Sequence, residues 1–171
     1  MTEQPRKITQ SASMCTMWIS VALLSALSVT AFSQTVELTP ATADRGSVNI
    51  FRIVLKSRAE KPIAALQWDL VYRDGLRIEP TGVVPGAAAE TAGKSVTCAR
   101  RSSEGANHRL GCILAGGVQA LGAGVIAIVR FEAAKDTATG EKIVDLEKVV
   151  GVSPALEPIT LKNTKAPITV R

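Results

Sequence analysis

The chain has 171 residues, 46% of them apolar and 20% charged, which suits one globular domain with a sizeable core and excludes a disordered polymer. Its formal net charge of +5 is spread among charges of both signs, and Arg100-Arg101 is the densest basic spot, read as a solvated loop. Nucleic-acid binding needs clustered Lys and Arg with interleaved aromatics, so that class is set aside.

The first 33 residues differ in character from the rest of the chain. Arg6 and Lys7 form a positive stretch, Met17 to Phe32 is apolar apart from small hydroxyl residues, and Ala31-Phe32-Ser33 has the small-residue pattern of a signal-peptidase site. The apolar run falls short of the roughly 20 residues of a membrane span. Cys15 precedes that run, so it is no lipid-anchored cysteine. Residues 1–33 are therefore expected to be a signal peptide and 34–171 the mature domain. The mature domain carries no membrane span and is exported: secreted, periplasmic or held at the cell surface.

After the leader, Thr35 to Leu38 is a short expected strand ended by Pro40, and Val48 to Lys56 a longer one rich in β-branched residues. In Ile63 to Tyr72 the residues Leu66, Trp68, Leu70 and Tyr72 alternate with Ala65, Gln67, Asp69 and Val71, the period of a half-buried strand. It carries the mature chain's tryptophan and tyrosine, and so marks the centre of the core. The strand breaks at Arg73-Asp74-Gly75 and resumes over Leu76 to Glu79. Thr81 to Gly93 reads as a loop with one helical turn at Ala87 to Glu90. Strands are expected over Lys94 to Arg100, Arg109 to Ala115, Val125 to Glu132, Lys142 to Val150 and Ile168 to Val170, with Gly116-Gly117 permitting a bend. Short strands, turns about every 8 to 12 residues and no amphipathic helix predict an all-β sandwich.

Two cysteines remain in the mature chain, Cys98 and Cys112. In an oxidising compartment an even pair reads as a disulfide. A hairpin centred near Gly105 sets the two opposite each other. Two cysteines and the single His108 are too few for a structural zinc site, and no metal or other cofactor is expected.

No catalytic constellation stands out. His108 is taken as an exposed turn residue, Ser102-Ser103 lacks a nucleophile elbow, and the carboxylates are scattered. No P-loop, dinucleotide fingerprint or EF-hand loop occurs. The mature aromatics are Phe51, Trp68, Tyr72 and Phe131, too few for a flat sugar-stacking platform once a core is filled.

The runs VNIFRIVLKS, PIAALQWDLVYRDGLRIE, GVIAIVRFEA and ATGEKIVDLEKVVG resemble the cohesin domain, the receptor module of cellulosome scaffolds. The resemblance covers Thr35 to Arg171 and implies a nine-stranded jelly-roll sandwich of the kind shared with carbohydrate-binding modules. It further implies docking of a dockerin-like protein on the sheet formed by Ile63 to Tyr72, Lys94 to Arg100, Arg109 to Ala115 and Lys142 to Val150. With Trp68 and Tyr72 inward, the outward, partner-facing residues are Ala65, Gln67, Asp69, Val71, Thr97, Ala99, Gly111 and Ile113, with Gln67 and Asp69 as polar anchors. Val96, Cys98, Leu110, Cys112 and Leu114 face inward. Cellulosomal cohesins carry Asn and Asp where this chain has Ala65 and Gln67, and Asp where it has Arg73. The implied function is a non-catalytic, protein-binding module linked to polysaccharide degradation. The alternatives are a polysaccharide-binding module acting in polysaccharide breakdown, or a structural cell-surface domain.

Overall fold

The computed structural model describes residues 34–56 and 61–171. The expected leader and most of the turn before Ile63 lie outside the described residues. In chain order the elements are β1 (Thr35–Leu38), β2 (Ala41–Ala43), β3 (Val48–Lys56), β4 (Ala65–Arg73), β5 (Leu76–Arg77), β6 (Val83–Pro85), α1 (Ala87–Thr91), β7 (Ser95–Glu104), β8 (Asn107–Ala115), β9 (Gly124–Ala133), β10 (Gly140–Val152), β11 (Pro158–Thr160) and β12 (Thr164–Val170). They form a two-sheet jelly-roll sandwich. The smaller sheet runs β1-β3-β9-β5, with β6 also on β9; the larger runs β2-β12-β10-β4-β8-β7, with β11 on β10.

The long strands stand where alternation places them. β4 sends Leu66, Trp68, Leu70 and Tyr72 into the core, and β8 adds Leu110, Cys112 and Leu114. From the facing sheet come Phe51, Ile53 and Leu55 of β3 with Val129 and Phe131 of β9, and the Phe51 and Phe131 rings lie 5.6 Å apart between centroids. Period-two burial on both sheets is what closes a sandwich: each strand contributes one apolar edge and the two edges interdigitate.

Several short elements depart from expectation. The strand expected over Leu76 to Glu79 pairs only at Leu76–Arg77, because Pro80 opens a tight 3-10 turn that closes at Gly82. The stretch read as a loop from Thr81 contains β6, paired with β9, before the expected helical turn. The last strand starts at Thr164 and runs through Pro167, and its end is joined in parallel by β2, which sequence reading left out. Gly75, in the turn after β4, has φ +92°, and an added Cβ would meet Thr137 at 2.8 Å, so glycine is required there.

The disulfide joins Cys98 and Cys112, direct partners across β7 and β8. Cys112 is fully buried and Cys98 packs against the core from the sheet edge. The bend at Gly116-Gly117 is tied down from within: the amine of Lys94, itself buried, donates to Gly116 O (2.5 Å) and Gly117 O (3.1 Å).

Candidate functional site

The four strands assigned to a docking sheet are β4, β7, β8 and β10, and they are contiguous in the order β10-β4-β8-β7. Register brings the outward side chains into rows. Val150, Gln67, Ile113 and Thr97 make one row; Glu147, Asp69, Gly111 and Ala99 the next; Asp145, Val71, Arg109 and Arg101 the third. Gln67, Thr97, Ala99 and Ile113 are exposed, Ile113 by 50%, while Ala65 at the rim is half-buried.

Asp69, Val71 and Gly111 point to the same side yet are buried. The expectation that Asp69 stands as a free polar anchor is thus corrected: it is 1% exposed, beneath three cations. Arg109 Nη1 donates to Asp69 Oδ2 at 3.0 Å and to Glu147 Oε2 at 2.8 Å. Arg101 Nε stands 3.3 Å from Asp69 Oδ1, and Lys148 Nζ stands 3.6 Å from Asp69 Oδ2. Gly111 makes the first of these approaches feasible, because a Cβ there would fall 2.0 Å from Arg101 Nε.

The electrostatic logic is local. Arg101 and Arg109 are direct cross-strand partners, an arrangement that repels unless an anion lies between. Asp69, one strand further in, is that anion. The hydrogen bond to Glu147, reinforced by Asp69, raises the pKa of Arg109 and keeps it firmly charged. Lys148 reaches the cluster through an irregularity. Between Glu147 and Val150, β10 carries one residue more than β4, and Lys148 adopts φ +49°. A β-bulge with a non-glycine residue in the left-handed region costs about 1–2 kcal/mol, and here it aims the ammonium at Asp69.

Sequence reading placed Arg100-Arg101 in a loop and missed Arg109, Glu147 and Lys148. Both arginines of the pair lie on β7, and alternation sends them to opposite faces. Arg100 pairs with Glu79 at 2.7 Å. The missed signal was the hairpin register: once Cys98 faces Cys112, Arg101 must face Arg109.

A second polar feature is a cleft of about 510 Å³ at one end of the sandwich, lined by Tyr72, Asp74, Glu79, Arg100, His108 and Lys142 among others. His108 is not in the hairpin turn; it lies half-buried on β8, 5.4 Å from the Tyr72 ring and 2.7 Å from Asp74 Oδ1 through Nε2. The Tyr72 hydroxyl donates to Ile78 O at 3.2 Å, and burial raises its pKa, so the phenol stays neutral. Among the described residues no three His, Cys, Asp or Glu side chains gather as a metal site requires, and no helix is long and apolar enough to cross a membrane.

No family model matches the chain, and no curated protein matches it. Solved structures do. The sixth cohesin of scaffoldin B from Acetivibrio cellulolyticus, solved in complex with a dockerin, superposes with TM-score 0.65 at 14% identity over 82% of this chain and 100% of that one. A cohesin–dockerin complex of OlpA from Clostridium thermocellum gives TM-score 0.65 at 15% identity over 82% and 100%. A non-cellulosomal cohesin from Archaeoglobus fulgidus gives 0.60 at 15% identity over 82% and 92%. At such identities the likeness is one of fold.

Proposed function

With a cohesin-type fold as the premise, we propose that the domain is an exported, non-catalytic receptor module that captures a dockerin-like protein partner on the open face of β10, β4, β8 and β7. The observation that carries this reading is the surface itself. Gln67, Thr97, Ala99 and Ile113 form a contiguous exposed patch without aromatic rings, while Phe51, Trp68, Tyr72 and Phe131 are all buried. Flat protein interfaces accept such a patch, since close approach and a few anchors supply the affinity. Sugar binding by ring stacking needs exposed aromatic faces, which this domain keeps inside. Two of the solved structures it resembles hold a bound dockerin, which supports a protein partner. The leader-like first 33 residues and the Cys98–Cys112 bond support export. A link to polysaccharide degradation belongs to the same reading, through the enzymes such partners would carry.

The test is capture from the host's culture fluid with the full chain as bait. The captured protein is expected to carry a dockerin-like module. Ala99→Arg, placed on an exposed residue of the edge strand β7 beside Arg101, is expected to abolish capture without lowering Tm. Full capture by Ala99→Arg and by Thr97→Arg refutes the reading. The second reading, a sugar-chain site, is carried by the polar end cleft. Retention on a polysaccharide column, lost on His108→Ala and kept by Ala99→Arg, would put it first.

A further inference from the structure

The charge cluster at the centre of the face is incomplete as an ion network. Among the described side chains, Arg101, Arg109 and Lys148 supply three cations against the two carboxylates of Asp69 and Glu147 that they contact, one positive charge in excess. The surplus is not spread evenly. Asp69 is buried and Arg109, 20% exposed, spends its hydrogen bonds on Asp69 and Glu147. The cations that reach solvent are Arg101, 48% exposed, and Lys148, 67% exposed, while the Glu147 carboxylate, 37% exposed, is engaged by Arg109. Arg101 engages Asp69 through Nε, and among the described residues its two Nη nitrogens have no partner. Among the described residues the Lys148 amine has Asp69, at 3.6 Å, as its one ion-pair partner.

We propose that Arg101 and Lys148 form a receptor for a carboxylate presented by the partner, an Asp or Glu side chain on a helix that the partner would lay across this face. The proposal rests on the receptor reading above and names the chemistry of its partner. A guanidinium offers paired N–H donors that match a carboxylate, and an ammonium beside it adds a point charge. Both heads are drawn toward Asp69 before binding. Asp69 lies beneath Arg101, glycine at 111 leaves the space the guanidinium fills, and the bulge at Lys148 aims the amine toward Asp69. Two cations side by side complement a negative charge and repel a positive one, so this pair favours an acidic partner over a neutral or basic one. The exposed small residues Ala99 and Thr97 next to Arg101 let a helix approach closely enough for a short carboxylate to reach.

The test is a displayed library of dockerin modules whose docking-helix surface positions vary among acidic, neutral and basic residues. It is sorted against the full chain, produced in an exporting host so that the disulfide forms. Enriched modules are expected to carry Asp or Glu on the docking helix. The double variant Arg101→Gln, Lys148→Gln is expected to capture them about tenfold more weakly or worse. The same acidic modules should bind wild type more weakly as salt rises from about 0.05 to 0.5 M, because screening shortens the reach of the two cations. Both substitutions leave Arg109 on Asp69, and a melting curve checks the fold; if the double variant melts early, Lys148→Gln alone, at the most exposed position, carries the comparison. Enrichment of modules with neutral or basic docking helices overturns the carboxylate proposal and leaves the receptor reading standing. Enrichment of nothing overturns the receptor reading, and the proposal with it.

Discussion

Replacing Asp69 by Asn removes one negative charge at nearly constant shape, and the cost can be worked contact by contact. Asp69 is 1% exposed and faces Arg109 at 3.0 Å, Arg101 at 3.3 Å and Lys148 at 3.6 Å. Removing one partner of a fully buried pair costs about 3–5 kcal/mol, because the survivor is stranded without water. That upper figure does not apply here. Arg101 and Lys148 are exposed enough to rehydrate, and each of their pairs with Asp69 is worth about 0–1 kcal/mol. Arg109 is the exception: mostly covered, it loses a charged hydrogen bond worth about 1.5–3 kcal/mol while keeping Glu147 at 2.8 Å. The direct opposition of Arg101 and Arg109 then goes unscreened, adding a few tenths. The sum is about 2–5 kcal/mol, or a fall in Tm of about 6–20 °C for a domain this size. Urea unfolding of the disulfide-intact protein measures it. Pairing Asp69→Asn with Arg109→Gln in a double-mutant cycle should return a coupling of about 1 kcal/mol or more. A loss below about 0.5 kcal/mol for Asp69→Asn, with no coupling, would refute the view that this carboxylate organises the face.

Replacing Cys98 and Cys112 together with Ala should cost about 2–4 kcal/mol, since the bond closes a loop with a sequence separation of 14; two labelled thiols in the native exported protein would refute the bond. Burial, opposed by Lys165 and then assisted by Glu147, raises the pKa of the Asp145 carboxyl. The folded state therefore holds that proton more tightly than the unfolded chain, and the associated stability is present at low pH and lost as pH rises through the raised pKa. Asp145→Asn should accordingly raise Tm at pH 7 relative to wild type, with the gain vanishing below about pH 3.9; parallel Tm–pH curves would count against it. The exported protein should begin at Gln34 by intact mass, and a mature chain still holding Met17 to Phe32 would point to a retained anchor.

The burial of β4 was legible from residue order, because inward and outward positions on a strand alternate whatever lies beside it. Leu66, Trp68, Leu70 and Tyr72 announce the core face, and the same rule separates Cys112 and Leu114 from Ile113 on β8. The opposition of Cys98 and Cys112 was legible too, since the polar, turn-like stretch between them folds the chain back, though the register was not carried on to Arg101 and Arg109. Resemblance to cohesins supplied which strands share a sheet, and the order β10-β4-β8-β7 agrees. What no local pattern contains is the identity of cross-strand neighbours. Asp69 alternates as an outward residue and reads as exposed, yet it is buried because β8 brings Arg109 over it, β7 brings Arg101 across glycine 111, and a one-residue bulge in β10 delivers Lys148. Those partners stand between 32 and 79 positions away in the chain, and only strand pairing makes them adjacent. Direction along a strand follows from the backbone's own two-residue period; the chemistry of a face depends on which strands the whole sandwich sets side by side.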